Sequence, residues 1–146
     1  MIGIAGVWPS PDPESITFDV PWVPDTRCRP NAKVSERTRI RYRKQGATAA
    51  AYPMRAARMA VAGFGAGPIF RGSVLMDVTI HWPKGRQAWD SDAVVSSTKY
   101  LRDMLEKEGI VGNDRQVRVG DIEQKAQGVH QGQPCVIVTI RQGAKT

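Results

Sequence analysis

Cysteine and histidine are scarce in this sequence of 146 residues. The two cysteines (Cys28, Cys135) and the two histidines (His81, His130) are scattered, and none of them forms a CxxC motif or a Cys/His cluster. Structural zinc sites need such clusters at short spacing. The sequence therefore argues against a zinc centre, and we expect two free thiols in a reducing compartment.

Long apolar runs are also missing. No stretch approaches the roughly 20 apolar residues that a membrane-spanning helix needs. The first 14 residues contain three prolines and lack the basic segment and apolar core of a secretory signal. We therefore expect no membrane association and a cytoplasmic location.

Negative charge is scarce in one segment of a chain whose net charge is +7. Between Asp25 and Arg58, ten cations face two anions, so this segment carries +8 and the rest of the chain −1. Such a block is typical of a nucleic-acid partner, with an anionic membrane as a weaker interpretation because no apolar helical face accompanies it. A solvated basic face is the alternative. The cations that we expect to contact DNA are Arg27, Arg29, Lys33, Arg37, Arg39, Arg41, Arg43, Lys44 and, further along the chain, Arg86.

The hydrophobic pattern predicts an α/β fold, a small mixed β-sheet packed with about two helices. We expect a single domain over 15–146, after an irregular lead-in over 1–14. Proline, glycine and polar runs mark the boundaries. The predicted elements are a strand over 15–22 ended by Pro21, a long basic loop over 23–46, an alanine-rich helix over 47–63 that begins or kinks at Pro53, a strand over 73–82, a helix over 92–109, and a terminal antiparallel hairpin of strands within 115–128 and 133–143.

Two aspartates stand one residue apart in the stretch WPKGRQAWDSDAVV, residues 82–95. If the chain is still extended where it leaves the preceding strand, Asp90 and Asp92 face the same side. Two carboxylates held together repel each other unless a proton or a cation lies between them. Mg²⁺ takes one or two carboxylates from a protein and leaves its other positions to water and phosphate. The pair therefore indicates a Mg²⁺ site, with Mn²⁺ as a possible substitute.

Two further residues extend this candidate site. Asp114 follows in a turn after the predicted helix and joins the pair only if the strand pairing allows it. Lys99 lies two helical turns after Asp92, so both project from the same side of the helix. There Lys99 could neutralise charge that builds up in a transition state. Three aspartates of this kind are typical of a metal-assisted phosphodiesterase.

Each of these residues also has an ordinary structural interpretation. Asp92 can be the N-cap of the helix. Asp114 can be a turn residue in Gly-Asn-Asp. Lys99 can form an ion pair with Asp103, four residues later on the same helical face. These interpretations need no metal and stay open at the level of sequence.

The chain resembles the RusA-type Holliday junction resolvases (crossover junction endodeoxyribonucleases) of bacteria and their phages. The resemblance rests on ITFDVPWVPDTRCRPN, on DSD between a strand and a helix, and on KYLRDMLEKEGIVGNDRQV. Together these blocks cover most of residues 16–117. The block GIVGNDRQV is the most specific of them.

The resemblance implies a homodimeric, Mg²⁺-dependent endonuclease without a small-molecule cofactor, in a bacterial or phage-infected cell. Each subunit would nick one strand of a four-way DNA junction, symmetrically across the branch point. The catalytic residues that it implies are Asp90, Asp92 and Asp114, which would hold the metal, and Lys99.

Two positions depart from the family pattern. Ala93 stands where the family usually has Asn after the second aspartate. Lys99 comes about one helical turn later than the family's lysine, and Ser96 occupies that offset without supplying a charge. Two alternatives stay open: a DNA-binding module of the same fold that does not cut, which the shift at Lys99 favours, and a metal-dependent nuclease for other branched DNA such as flaps or forks.

Overall fold

The computed structural model describes residues 14–24, 33–62, 67–83, 89–125 and 135–143. Strands and helices alternate within these ranges in the predicted order, and they form a mixed α/β single domain. The strands are β1 (Ser15–Val20), β2 (Val74–His81), β3 (Val117–Lys125) and β4 (Cys135–Gln142), and the α-helices are α1 (Glu36–Ala62), α2 (Ser91–Ser97) and α3 (Lys99–Lys107). A 3-10 turn, Asp114–Gln116, precedes β3.

The four strands lie in the order β1-β4-β2-β3. Strand β4 is antiparallel to both of its neighbours, and β2 is parallel to β3, so β1, β2 and β3 all run the same way. The predicted terminal hairpin is therefore wrong, because β2 lies between β3 and β4. Burial gives the reason: Val136, Val138 and Ile140 of β4 are at most 1% exposed and suit a central strand, whereas β3 is more polar and suits an edge.

Helix α1 begins inside the segment that the sequence predicts as a basic loop, so the predicted loop over 23–46 and the predicted helix start near 47 are wrong. The Ser35 hydroxyl accepts the Thr38 N–H at 3.2 Å, as an N-cap side chain does. Arginine, lysine and glutamine have good helix propensity, so a polar helix forms here with its side chains in solvent. Pro53 lies within the helix. No helix in the described ranges is both long and apolar enough to cross a membrane.

Gly46 lets the helix pass close to Trp22, at the point where the predicted loop ended. A Cβ atom at Gly46 would lie 2.7 Å from the Trp22 ring. The glycine is therefore a packing residue inside a helix and not the end of a loop. Trp22 in turn packs edge-on against Tyr100 of α3, with the ring centroids 5.1 Å apart.

The core lies between the helices and one face of the sheet. The predicted alternation in β2 is confirmed, since its inward residues are at most 1% exposed, and so is the predicted helical stripe. The buried residues of these two sets are Val74, Met76, Val78 and Ile80 of β2, and Val94, Thr98, Leu101 and Leu105 of the helical segment.

The single helix predicted over 92–109 is interrupted at Thr98. The hydroxyls of Ser97 and Thr98 donate to the carbonyls of Val94 and Val95, both at 2.8 Å. Hydroxyl groups that bond back to the preceding turn in this way bend or break helices. The segment therefore forms α2 and α3, and Gly109, with φ of 76°, follows the end of α3.

Candidate metal and nucleic-acid site

Asp90 lies at the carboxyl ends of the parallel strands β2 and β3. The Gln124 side chain of β3 fixes the chain there: its Oε1 accepts the Trp89 N–H at 2.8 Å, and its Nε2 donates to the Trp89 carbonyl at 2.7 Å. The indole N–H of Trp82, which follows β2, donates to the same Oε1 at 2.9 Å. Gln124 is not among the residues predicted from the sequence, because its position in a polar strand carries no signal of this role.

The N-cap of α2 is Asp90, so the prediction that Asp92 caps the helix is wrong. The Asp90 carbonyl accepts the Val94 N–H at 3.0 Å, while its side chain makes no capping hydrogen bond. Asp92 lies in the first turn, and both aspartates are exposed. The dipole of a helix stabilises carboxylates at its N-terminus even where their oxygen atoms accept no hydrogen bond.

The relative direction of the two side chains rests on the backbone at this junction. Asp90 is extended, with ψ of 149°, but Asp92 is already helical. The extended geometry that would place alternate side chains on one side therefore holds only as far as Asp90. What the two residues share is their position: both lie at the N-terminus of α2, Asp90 as its N-cap and Asp92 in its first turn, at the carboxyl edge of the sheet.

Asp114 lies at the opposite edge of the sheet. It opens the 3-10 turn that leads into β3, and Val117 of β3 pairs with Val74, the first residue of β2. The 8 residues of β2 span on the order of 25 Å. One chain therefore does not bring Asp114 beside Asp90 and Asp92, and the described residues include no group of three His, Cys, Asp or Glu placed to hold a metal ion.

The turn around Asp114 is built by its neighbours. Asn113 and Gln116 form a capping box, and the Gln116 amide donates to the Gly72 carbonyl at 2.8 Å. The Asp114 N–H donates to the Glu106 carboxylate of α3 at 2.8 Å. Asp114 is thus a turn residue, as its structural interpretation predicts, and it enters these contacts through its backbone.

Lys99, the first residue of α3, faces α1. Its ammonium group forms an ion pair with Asp103 at 3.3 Å, and both side chains are more than half exposed. The interpretation of Lys99 as an i,i+4 pair is therefore confirmed. Lys99 also lines a groove with Arg43 and Lys44 of α1. It follows Asp92 by seven positions, across the interruption at Thr98, which corresponds to about 10 Å at helical rise.

The cation-rich end of α1 lies at the same edge of the sheet as Asp90. Lys44 of α1 and Lys99 line the same groove, and Arg55, three turns after Lys44, contacts Glu108 just after α3, so the two helices run in the same direction. The predicted DNA-contacting residues in or just before the start of α1 are exposed, except Arg39, which is half-buried. They are Lys33, Arg37, Arg39, Arg41, Arg43 and Lys44; Arg27, Arg29 and Arg86 lie outside the described residues.

The other end of α1 uses its cations for structure. The guanidinium of Arg55 makes two hydrogen bonds of 3.0 Å to the Glu108 carboxylate. That of Arg58 donates to the Gly67 carbonyl at 2.8 Å and to the Gly109 carbonyl at 3.3 Å. These bonds tie α1 to the end of α3, at the same edge of the sheet as Asp114.

Another ion pair lies on the sheet face away from the core. Asp77 of β2 accepts from Arg141 of β4 at 2.6 Å and from the Asp121 N–H at 2.7 Å. The hydrogen bond from Arg141 lowers the pKa of the Asp77 carboxyl. The Asp77 carboxylate thus accepts hydrogen bonds from the protein itself, whereas the Asp90 side chain makes no capping hydrogen bond and Asp92 is exposed.

The carboxyl edge of the sheet thus collects the Asp90–Asp92 pair and the cation-rich start of α1. Open α/β sheets bind their ligands at the carboxyl ends of their parallel strands. No protein-family model matches the chain, and no curated protein does.

Proposed function

We propose that this protein is a Mg²⁺-dependent endonuclease that cuts branched DNA, with the four-way Holliday junction as its preferred substrate, as in the RusA-type resolvases that it resembles. One observation carries the proposal. Two exposed aspartates, the first without a capping hydrogen bond, lie at the same edge of the sheet as the cation-rich start of α1. The edge therefore offers ligands for a cation and contacts for phosphates.

The residues of this edge fit a Mg²⁺ ion. Asp90 and Asp92 supply the one or two carboxylates that Mg²⁺ usually takes from a protein. Bound there, the ion would activate water and stabilise charge on the scissile phosphate. The exposed cations of α1 would hold the neighbouring phosphates without reading the bases. Junction preference then comes from the shape of the DNA and from the geometry of a dimer.

Asp114 enters this scheme through a homodimer. Because it lies at the far edge of its own sheet, it reaches the pair only if a second copy places its amino edge against the carboxyl edge of the first. Each of the two sites would then hold Asp90 and Asp92 from one copy and Asp114 from the other. Such a dimer would carry two sites, as paired nicking requires.

The first experiment measures cutting of a synthetic four-way junction and of linear duplex of the same sequence, with and without Mg²⁺. We expect paired, symmetrical nicks in the junction that need the metal. Asp92→Asn should lower the rate by more than about 100-fold, because groups that merely orient metal ligands are already worth 10- to 100-fold. Its junction binding should stay intact or tighten, since a repelling charge has gone.

Asp121→Asn is the matched control. It removes one charge from a side chain that is 93% exposed. Asp121 lies in the middle of β3, away from the carboxyl and amino edges of the sheet. Cutting by this variant should match that of the wild type. Unchanged cutting by Asp92→Asn would contradict the assignment of the site.

A mixing experiment tests the role of the second copy. Asp92→Asn and Asp114→Asn are each inactive if both residues serve the metal. If each site is shared between copies, one site of a mixed dimer keeps all three of its aspartates. The other site then carries both substitutions. Mixing the two variants should then restore single nicks, whereas a site built within one chain would stay inactive.

A second candidate is a DNA-binding module of this fold that does not cut. The separation of Asp114 from the pair and the engagement of Lys99 with Asp103 favour it. Tight junction binding without cutting in Mg²⁺ or Mn²⁺ would support this candidate. Faster cutting of flaps or forks than of four-way junctions would instead show a nuclease for other branched DNA.

A further inference from the structure

A groove between α1 and α3 combines an apolar floor with a cationic rim. Its volume is about 230 Å³. The floor consists of Ile40, Ala47, Tyr100 and Met104, and the rim of Arg43, Lys44 and Lys99, with Asp103 beside Lys99.

The floor is held in place by packing from below. Tyr100 and Met104 are 5% and 7% exposed, and the Trp22 ring meets Tyr100 edge-on at 78°. Ile40 is the most exposed part of the floor, with 42% of its surface exposed, which is unusual for a large apolar residue in this structure. A flat apolar group placed in the groove would cover Ile40 without any rearrangement of the floor.

The rim selects for negative charge. Its three cations face one anion, Asp103, whose carboxylate is engaged by Lys99 at 3.3 Å. The rim is therefore left with a net charge of +2. A ligand that suits both rim and floor has an anionic part joined to a flat apolar part, as a nucleotide has.

The groove continues a line of exposed cations on α1. Arg37, Arg41 and Lys44 lie at helical spacings of four and three residues, on one side of the helix, and all three are exposed. Phosphates that follow this line arrive at the rim through Lys44. An acidic peptide would satisfy the rim but would bring no flat apolar group at each charge.

We propose that the groove between α1 and α3 binds one unpaired nucleotide of a DNA strand, with its phosphate on the rim cations and its base against Ile40 and the rest of the floor. Bases stacked within a duplex cannot enter, so the site takes strands opened at a branch point or already single. The choice of DNA over other polyanions rests on the proposed function. In this role Lys99 is a nucleotide-binding residue and stands apart from the metal.

The test measures binding in the absence of metal, so it does not depend on cutting. The probes are a short labelled oligothymidylate, a strand of the same length made of abasic sites, and a duplex with an equal number of phosphates. Wild-type protein should bind the thymidylate about 10-fold more tightly than the abasic strand, which is the effect of one well-packed base. The abasic strand carries the same phosphates, so the difference reports the floor alone.

Two variants separate the floor from the charge. Ile40→Ser should abolish most of the preference for thymidylate over abasic strand and leave duplex binding unchanged. Arg41→Gln, which removes a cation outside the groove, should weaken all three probes by a similar factor. Far-UV circular dichroism checks that both exposed substitutions leave the fold intact.

Equal binding of thymidylate and abasic strand by the wild-type protein would overturn the proposal. So would an Ile40→Ser variant that keeps the full preference, or a polyglutamate peptide that displaces thymidylate as well as an equal charge of DNA does. Loss of cutting in the junction assay with the thymidylate preference retained would count against the nuclease and not against the groove.

Discussion

The two ends of α1 carry the same kind of residue and use it differently. At its start, Arg37, Arg41 and Lys44 are exposed. Toward its end, Arg55 makes two hydrogen bonds to Glu108, and Arg58 donates to two backbone carbonyls. A count of charges in the sequence treats the two ends alike. Within the described residues, what separates them is the presence of hydrogen-bond acceptors beside Arg55 and Arg58.

The same division follows the sheet. The start of α1 lies at the carboxyl edge with Asp90 and Asp92, and its end lies at the amino edge with Glu108 and Asp114. With 27 residues, the helix is about 40 Å long and so extends past the length of the strands. Cations and carboxylates compensate each other at the amino edge, whereas at the carboxyl edge both kinds are exposed to solvent. We infer that the carboxyl edge meets ligands and the amino edge holds the fold together.

The largest effect should follow from removing charge at the start of α1. The triple variant Arg37→Gln/Arg41→Gln/Lys44→Gln should bind duplex DNA about 10- to 100-fold more weakly, and the slope of log affinity against log salt should fall by about 3. Its unfolding midpoint should stay near the wild-type value because all three side chains are exposed. A salt slope equal to that of the wild type would show that these cations do not contact phosphates.

A smaller effect, on stability, is expected at Gly46, which lies between the two ends of α1. Gly46→Ala gains up to about 1 kcal/mol of helix propensity but forces a methyl group against the Trp22 ring, a clash that typically costs 1–3 kcal/mol. We expect a net loss of about 1 kcal/mol in the free energy of unfolding, measured by urea titration. Gly72→Ala is the control, since a Cβ there meets no atom within 4 Å. A stabilised Gly46→Ala variant would mean that Trp22 moves aside.

Gly46 also shows where sequence reasoning fails in this chain. Patterns of apolar residues predict β2 and the stripe from Val94 to Leu105 because those residues meet the core directly. The start of α1 has no such pattern, because most of its side chains face solvent and its close contact with Trp22 is made by a glycine. An exposed basic helix and a basic loop then look alike, apart from the capping residue Ser35.

The position of Asp114 was beyond prediction for a related reason. Its spacing from Asp92 fits a helix followed by a turn, and the structure confirms that much. Which edge of the sheet Asp114 reaches depends on whether β3 pairs with β2 or with β4. The two pairings bury different strand residues, and that burial is defined only once the sheet has assembled. The available signal was the continuous apolar run that opens β4, beside the polar sequence of β3, since the more apolar strand suits the centre of a sheet.

A smaller loss of stability is expected at the end of α1. Arg55→Met should lower the unfolding midpoint, because the Glu108 carboxylate, only 10% exposed, loses two hydrogen bonds. Duplex binding should stay close to that of the wild type, as this guanidinium is engaged within the protein. Arg41→Met at the start of the helix should give the reverse, with weaker binding and an unchanged midpoint. Equal effects of the two variants on both quantities would erase the distinction between the ends of α1.

The smallest expected effect is confined to acidic solution and concerns Asp77, a carboxylate engaged as Glu108 is. The hydrogen bond from Arg141 lowers its folded-state pKa below the unfolded value of about 3.9. A lowered pKa means that the charged carboxylate favours the folded state, so this contribution is complete above about pH 5 and is lost as the pH falls through the folded-state pKa. The wild type should therefore exceed Asp77→Asn in stability near neutral pH, and the gap should narrow in acid. Urea titrations at about pH 7 and about pH 3 measure it, with Asp19→Asn, at an exposed position of β1, as the control. A stability difference that stays constant with pH would show that Asp77 acts through packing and through hydrogen bonds that do not depend on its charge. Asp77 would then differ from the exposed Asp90 and Asp92 in the geometry of its contacts and not in the energy of its charge.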